Sequence, residues 1–182
     1  MLKFQELIQK IRIRFMGNLA KKSTRNIQRI FVHCTASLQE EYTDEALIQE
    51  FKNKGWKNPG YHYVIRPEGT VFAMLDEDEV SNGVQGYNST AINVAYVGGI
   101  TYTNKKGVDN RTPEQKKALL KLLKIMREKY PTAYIMGHRD ISPDKNGNGK
   151  VDSWERIKEC PCFDAMEEFK DLNEGLKKPK NK

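Results

Sequence analysis

Side chains that bind transition metals are scarce in this chain of 182 residues, which has three cysteines and three histidines. An odd number of cysteines argues against a framework of disulfides. Residues 1–22 also lack the apolar core of a secretion signal, because charged and amide side chains keep interrupting the apolar ones. We therefore expect synthesis in the cytoplasm, and cysteines that serve metal binding or thiol chemistry.

Long apolar runs are missing as well. No stretch approaches the ~20 apolar residues that a membrane helix requires, and there is no internal repeat. The length suits one domain with a core of ordinary size. The balance of 38% hydrophobic and 30% charged residues is typical of a globular protein.

The formal net charge of +7 favours a polyanionic partner, such as nucleic acid, anionic lipid or an acidic polymer of a cell wall. Charge alone does not choose among these three. Much of the excess lies in residues 3–29 and in the tail over residues 176–182, where basic side chains often only interact with solvent.

The order of elements predicts an α/β fold: one domain with a central mixed β-sheet flanked by helices. Buried strands are expected where β-branched and apolar residues cluster, as in "IQRIFVHC", "INVAYVGGI" and "TAYIM". "YHYVIRPEGTVFAML" predicts a hairpin. Helices are expected after the caps Thr43 and Thr112, and a terminal helix over "FDAMEEFKDLNEG".

An additional basic amphipathic helix, followed by a linker, is predicted over residues 1–27. Two interpretations stay open: the helix packs on the domain, or it anchors the protein on an anionic membrane surface. Its apolar side chains recur at helical spacing, at Phe4, Leu7, Ile8, Ile11 and Phe15.

Two histidines and two cysteines are predicted to follow strands: His33, His138, Cys160 and Cys162. Strand ends present the functional residues of α/β folds, and zinc binds nitrogen and sulfur. A catalytic zinc keeps three protein ligands and one open position. Spacing does not rank the two cysteines, and a histidine at a strand end is more often structural than a ligand.

Six segments resemble the motifs of one family, both in their residues and in their order along the chain. They are "IFVHCTAS", "GWKNPGYHYVIRPEGTV", "GYNSTAINVAYVGGI", "TPEQ", "GHRD" and "CPCFD". The chain is thereby similar, over roughly residues 28–172, to the zinc-dependent N-acetylmuramoyl-L-alanine amidases of the type 2 amidase family. That family includes phage lysozymes that are chemically amidases, and the peptidoglycan recognition proteins.

The resemblance implies a zinc site at His33, His138 and Cys160. Cys162 then stands where the phage enzymes usually carry a small residue. The resemblance also implies catalytic roles for Tyr61, which would lie over the metal, and Lys158. A phenol and an ammonium group could stabilise the negative charge that amide hydrolysis builds on the carbonyl oxygen.

Other residues near these motifs receive weaker predictions. His62 and Cys34 each follow a site residue on a strand, so they are expected to point to the opposite face as structural residues. Asp140 is a candidate acceptor for a ligand imidazole. Thr35 and Asn88 are candidate contacts in the substrate groove.

A calcium-loop pattern, D-x-[DN]-x-[DN]-G-x5-E, occupies residues 144–155 as an insertion. Pro143 disfavours an entering helix, so a bare loop with weak calcium affinity is expected. The alternative is an Asn-Gly turn that binds nothing. The predicted oxygen ligands are Asp144, Asn146, Asn148, the carbonyl of Lys150, Asp152 and Glu155.

The sequence therefore predicts a catalytic domain over residues 28–175 that cleaves the amide between N-acetylmuramic acid and L-alanine in peptidoglycan. The cofactors would be Zn²⁺ and, through the insertion, Ca²⁺. We expect a monomer that acts on the cell wall after release or export, with no nucleic-acid partner. A non-catalytic peptidoglycan-binding module is the alternative, since some family members lose the cysteine ligand and only bind.

Overall fold

Five strands form one mixed sheet in the computed structural model, which describes residues 21–181. The order across the sheet is β3-β2-β4-β1-β5. The strands are β1 (Arg29–Cys34), β2 (Tyr63–Ile65), β3 (Val71–Ala73), β4 (Ala91–Tyr96) and β5 (Tyr134–Gly137).

The centre of the sheet is parallel. β1 pairs in parallel with both β4 and β5, and β4 pairs in parallel with β2. β3 alone is antiparallel, as the second strand of the hairpin with β2. Parallel neighbours need crossover connections, and the strands of such sheets are buried on both faces. The fully buried β1 and β4 confirm the predicted α/β class.

Two helices make crossovers between parallel strands, and both begin at the predicted caps. Helix α1 (Asp44–Asn53) starts after Thr43, whose hydroxyl accepts from the Ala46 amide. Helix α2 (Pro113–Lys129) starts after Thr112, which forms a capping box with Gln115. Local side-chain chemistry fixes both helix starts.

Alternate residues of the strands point to opposite faces of the sheet. Ile30, Val32 and Cys34 of β1 join the main hydrophobic core with α2 and the C-terminal segment. Phe31 belongs to a separate cluster on the other face, where His33 also points. Because of this alternation, β1 supplies core side chains from one face and a side chain of the site from the other.

The predicted terminal helix is shorter than expected. Helix α3 covers Ala165–Glu168, and a 3-10 turn follows over Lys170–Asn173. Phe169 ends α3 because its side chain turns into the core, where it is 3% exposed. The Asn173 side chain then accepts from the amide of Ile135 and donates to its carbonyl, and so pairs with the edge of β5. Tertiary contacts outweigh helical pattern here.

Residues before the predicted boundary at residue 28 also contact the domain. Ser23 donates to the Glu77 carbonyl, and Arg25 donates to the carbonyls of Glu77, Glu79, Asn88 and Ala91. Most of the helix predicted over residues 1–27 lies outside the described residues. Within residues 21–181, no helix has the length and apolarity needed to cross a membrane.

Candidate metal centre and catalytic site

The pairing of β1 with β5 brings two histidines together. Val32 is opposite Gly137 in this pair. His33 and His138 are the next residues along the two adjacent parallel strands, so both come at the same level of the sheet. Their ring centroids are 4.9 Å apart and their planes meet at 74°. The sheet register alone therefore places two imidazoles at one edge of the sheet, where the carboxyl ends of parallel strands meet.

Cys160 reaches the same edge from a loop. The amide of Arg139 donates to the Cys160 carbonyl at 2.8 Å, and the Cys34 amide donates to Cys160 Sγ at 3.3 Å. The close approach of this loop to the end of β5 needs a glycine at position 137, because a Cβ there would lie 2.6 Å from Cδ of Pro161. These contacts bring Cys160 Sγ to 3.6 Å from Nδ1 of His33.

The three side chains fit a transition metal. The ligand atoms of His33, His138 and Cys160 all lie within 4.8 Å of one another, and residues 21–181 contain no other such group of His, Cys, Asp or Glu. A tetrahedral zinc site with bonds of about 2.0–2.3 Å places its ligand atoms about 3.3–3.8 Å apart. Two nitrogens and one sulfur match a catalytic zinc site, which keeps its fourth position open.

Burial keeps both imidazoles neutral. His33 is 1% exposed and His138 is 8% exposed. Burial, with a smaller contribution from the positive charge of Lys158, lowers the pKa of His33 to about 4 and that of His138 to about 2. A neutral imidazole has a free lone pair, so both rings can bind a metal at neutral pH.

Tyr61 and Lys158 lie beside the metal-binding group, in a cavity of about 270 Å³ that both line. The Tyr61 ring centroid is 5.2 Å from that of His33, and its hydroxyl donates to the Cys34 carbonyl at 3.3 Å. Burial, followed by the proximity of Cys160, raises the pKa of Tyr61 well above its usual value. The phenol therefore remains a proton donor, and Lys158 is exposed at the mouth.

The outer wall of the cavity comes from α1 and the loop after it. Phe51 and Trp56 stack with ring centroids 5.5 Å apart, and Lys54 forms an ion pair with Glu50. All four line the cavity, and so does Thr35, a predicted groove contact. None of the four was identified from the sequence, since nothing in the helical pattern of α1 marks which end meets a site.

Several predicted residues do not reach the cavity. Asn88 is not among its lining residues, and its Oδ1 accepts from the Val84 amide instead. Asp140 accepts from the amide of Gly137 at 2.6 Å, so it orders the turn that carries His138 without bonding to an imidazole. Cys162 Sγ lies 3.6 Å from Cys34 Sγ, outside the metal-binding group.

Asn93 contacts the metal-binding group but was not identified from the sequence. Its Oδ1 lies 2.8 Å from Nε2 of His33. The signal was present, because Asn93 is the one polar side chain in the buried strand β4. His62, predicted to be structural, accepts from the Asn93 amide through Nδ1 at 3.0 Å and lies behind the site.

The insertion over residues 144–155 forms a loop that is closed by its own carboxylates. Glu155 is 1% exposed and accepts from the amides of Lys145, Asn146 and Asp152. Asp144 accepts from the amides of residues 147, 148 and 149. Carboxylate oxygens therefore already face the inside of the loop.

The two asparagine side chains of the loop point their amide nitrogens inward. Asn146 and Asn148 donate to the same Oδ2 of Asp152, at 2.7 and 2.9 Å. A cation would need their oxygens in those places. The structure does not gather Asp144, Asp152 and Glu155 into a metal-binding group like that of the histidines.

The chain matches known proteins over most of its length. The family described as N-acetylmuramoyl-L-alanine amidase matches residues 23–156. The endolysin of Enterobacteria phage K11 is 39% identical over 139 residues, which cover 76% of this chain and 82% of the endolysin. The endolysin of Escherichia phage T7 is 33% identical over 150 residues, which cover 82% of this chain and 89% of that endolysin. This chain belongs to the N-acetylmuramoyl-L-alanine amidase family.

Solved structures share the fold of this amidase. The endolysin and N-acetylmuramoyl-L-alanine amidase LysCS from Clostridium intestinale superposes with a TM-score of 0.61 at 24% identity, covering 84% of this chain and 86% of LysCS. Drosophila PGRP-LB gives a TM-score of 0.58 at 14% identity, covering 82% of each chain. At these identities the likeness establishes the fold alone.

Family membership gives the activity: the amidase hydrolyses peptidoglycan at the bond between N-acetylmuramic acid and L-alanine. The family match ends at residue 156, before Lys158 and Cys160. The assignment of Lys158 and Cys160 to the site therefore rests on the geometry described above and on the resemblance of the "CPCFD" segment to the family motif.

The geometry separates the two cysteines, and we predict different effects of their replacement. Cys160→Ser should lose the bound metal and the activity, because it removes the one sulfur among the three gathered ligands. Cys162→Ser should retain both. Metal content measured on the two purified variants tests this. Equal loss in both, or loss only in Cys162→Ser, would contradict our assignment of the ligand.

Proposed function

We propose that the amidase is a zinc enzyme whose ligands are His33, His138 and Cys160. The observation that carries the proposal is the gathering of two neutral imidazoles and one thiol within 4.8 Å at the bottom of a cavity. When bound in such a site, zinc acidifies a water molecule and polarises an amide carbonyl. The protein contributes the rigid placement of three ligands and an open side towards the cavity.

Tyr61 and Lys158 would stabilise the charge that develops on the scissile carbonyl oxygen. Both line the cavity that contains the ligands. Tyr61 keeps its proton because burial raises its pKa, so its hydroxyl can donate to an oxyanion. Lys158 adds a positive charge at the mouth, and either group can pass a proton to the leaving amine of L-alanine.

The cleaved bond joins the lactyl carbonyl of N-acetylmuramic acid to the amine of L-alanine. A net charge of +7 suits an acidic wall polymer. We place synthesis in the cytoplasm and action on the cell wall, as for the phage endolysins that the chain resembles. All three ligands and both assisting residues are present, which favours catalysis over a module that only binds peptidoglycan.

Incubation with purified peptidoglycan tests the proposed chemistry. Hydrolysis should release new amino groups of L-alanine, because the amide bond opens there, and should stop when a strong zinc chelator is added. Amino-terminal labelling with mass spectrometry of the products measures both. New reducing sugar ends in place of amino groups, or full activity in the chelated enzyme, would contradict the proposal.

Replacement of the two assisting residues should separate chemistry from metal binding. Tyr61→Phe and Lys158→Ala should keep zinc and wall binding but lower kcat by ~10²-fold or more, since each removes an oxyanion donor. The matched controls are Tyr102→Phe and Lys105→Ala, which change an exposed pair that does not line the cavity. Turnover at the wild-type rate in either test variant would remove that residue from the mechanism.

We also propose that the insertion binds calcium. Its ligands would be Asp144, Asn146, Asn148, the carbonyl of Lys150, Asp152 and Glu155, all oxygen donors as calcium requires. Rotation of the two asparagine amides by 180° would exchange nitrogen for oxygen at the positions that now face Asp152. Three carboxylates and a loop exposed to solvent suggest a Kd of about 10⁻⁴–10⁻³ M.

Calcium should raise the melting temperature of the zinc-loaded amidase, by mass action on the folded state. Magnesium should substitute poorly, because it demands a smaller octahedral site. Glu155→Gln should weaken the calcium effect, whereas the control Glu174→Gln, an exposed residue outside the loop, should not. Scanning calorimetry with each ion measures this. An unchanged melting temperature at about 10 mM calcium would show that the insertion is a turn that binds nothing.

A further inference from the structure

One buried amide touches the metal-binding group from behind. Asn93 lies on β4, is 0% exposed, and is surrounded by the apolar residues of that strand. Its Oδ1 lies 2.8 Å from Nε2 of His33. An amide buried among apolar side chains costs stability unless its polar atoms are hydrogen-bonded. The burial of Asn93 is therefore tolerated only while its polar atoms keep their partners, and His33 is one of these.

Every polar group of Asn93 has a partner. The side-chain Nδ2 donates to Ser81 Oγ at 2.7 Å, and the backbone amide donates to Nδ1 of His62 at 3.0 Å. The backbone carbonyl accepts from the His62 amide at 2.8 Å. The two bonds with His62 fix the backbone at this position, and the bond to Ser81 holds the side-chain amide with its oxygen towards His33.

The loop next to the cavity is shaped around this amide. A Cβ at Gly83 would lie 2.5 Å from both Cγ and Oδ1 of Asn93, and 2.7 Å from the Gly60 carbonyl oxygen. Real Cβ atoms do not approach other atoms so closely, so position 83 accepts only glycine while Asn93 is present. Gly83 and Gly60 both line the cavity, so the space taken by the amide also sets the shape of the cavity wall.

We propose that Asn93 is a positioning residue that fixes the proton of His33 on Nε2. A neutral imidazole carries one N–H, and an amide oxygen can only accept a hydrogen bond. With the proton on Nε2, the lone pair belongs to Nδ1. That atom faces Cys160 Sγ at 3.6 Å and is the one placed to bind a metal. This inference rests on the proposed zinc site.

The choice of an amide has a physical reason. An apolar residue at position 93 would leave the buried Nε2–H of His33 without an acceptor, which weakens ligand orientation. A carboxylate would accept the same hydrogen bond but would bring a negative charge into a buried strand. Asparagine supplies the acceptor without the charge, and Ser81 binds the other half of the amide.

The tautomer of His33 can be measured without any metal, by ¹⁵N NMR of the imidazole in the chelated wild-type protein. We expect the proton on Nε2. A proton on Nδ1 would overturn the inference whatever the zinc affinity is. Failure of wild-type protein to bind zinc at all would instead contradict the proposed function, and the tautomer result would still stand on its own.

Zinc affinity of variants gives the second test, by competition with a chromogenic chelator. Asn93→Leu should bind zinc about 10–100-fold more weakly, the usual effect of losing an acceptor behind a ligand histidine. Asn93→Asp keeps the acceptor and should restore most of that affinity. The control Asn173→Leu removes another buried asparagine, one whose side chain bonds to the backbone of Ile135 and to none of the three ligands, and should leave zinc affinity unchanged.

These outcomes separate positioning from packing. A purely structural role would lower the melting temperature of Asn93→Leu and Asn93→Asp alike, and would give the two variants the same zinc affinity. That equality, or wild-type affinity in Asn93→Leu, would overturn the inference. Loss of affinity in Asn93→Leu with recovery in Asn93→Asp would support it.

Discussion

The parallel pairing of β1 with its two neighbours is the constraint on which the rest of the site depends. Pairing with β5 sets His33 beside His138, and pairing with β4 sets it beside Asn93. A strand at the centre of a sheet that is covered on both faces is buried, and burial lowers the pKa values of the two imidazoles at its end. One arrangement of strands therefore gives both the geometry and the protonation state that a metal requires.

Prediction from the sequence succeeded where the signal is local. The caps Thr43 and Thr112 determine helix starts through bonds to residues three positions away, and both helices begin as predicted. The structure brings together His33, His138 and Cys160, which could be singled out because histidine and cysteine are scarce in the sequence and because the family motifs name these positions. The central strands were found because they are apolar runs of short length.

Prediction failed where the partner is distant in the chain. Asn93 meets His33 across 60 positions, and Asn173, after the terminal helix, pairs with Ile135 across 38. Arg25 donates to carbonyls more than 50 positions away, so residues before the predicted boundary at residue 28 contact the domain. Nothing near these residues in the sequence reveals such partners. Spacing alone could not rank the two cysteines, because the positive φ of 72° at Cys162 and the contact of its Sγ with Cys34 become evident only in the folded backbone.

The site has one half built by the sheet and one half built by a loop. His33 lies near the end of β1 and His138 directly follows the paired strand β5, whereas Lys158 and Cys160 follow the insertion. Two hydrogen bonds fix the base of that loop: Ile157 N to Ser142 Oγ at 3.1 Å, and Arg139 N to the Cys160 carbonyl at 2.8 Å. The second bond ties Cys160 to the end of β5 directly, independent of the insertion. Lys158 lies between the two bonds and is exposed. Order in the insertion therefore bears more directly on the charge at the mouth of the cavity than on retention of the metal.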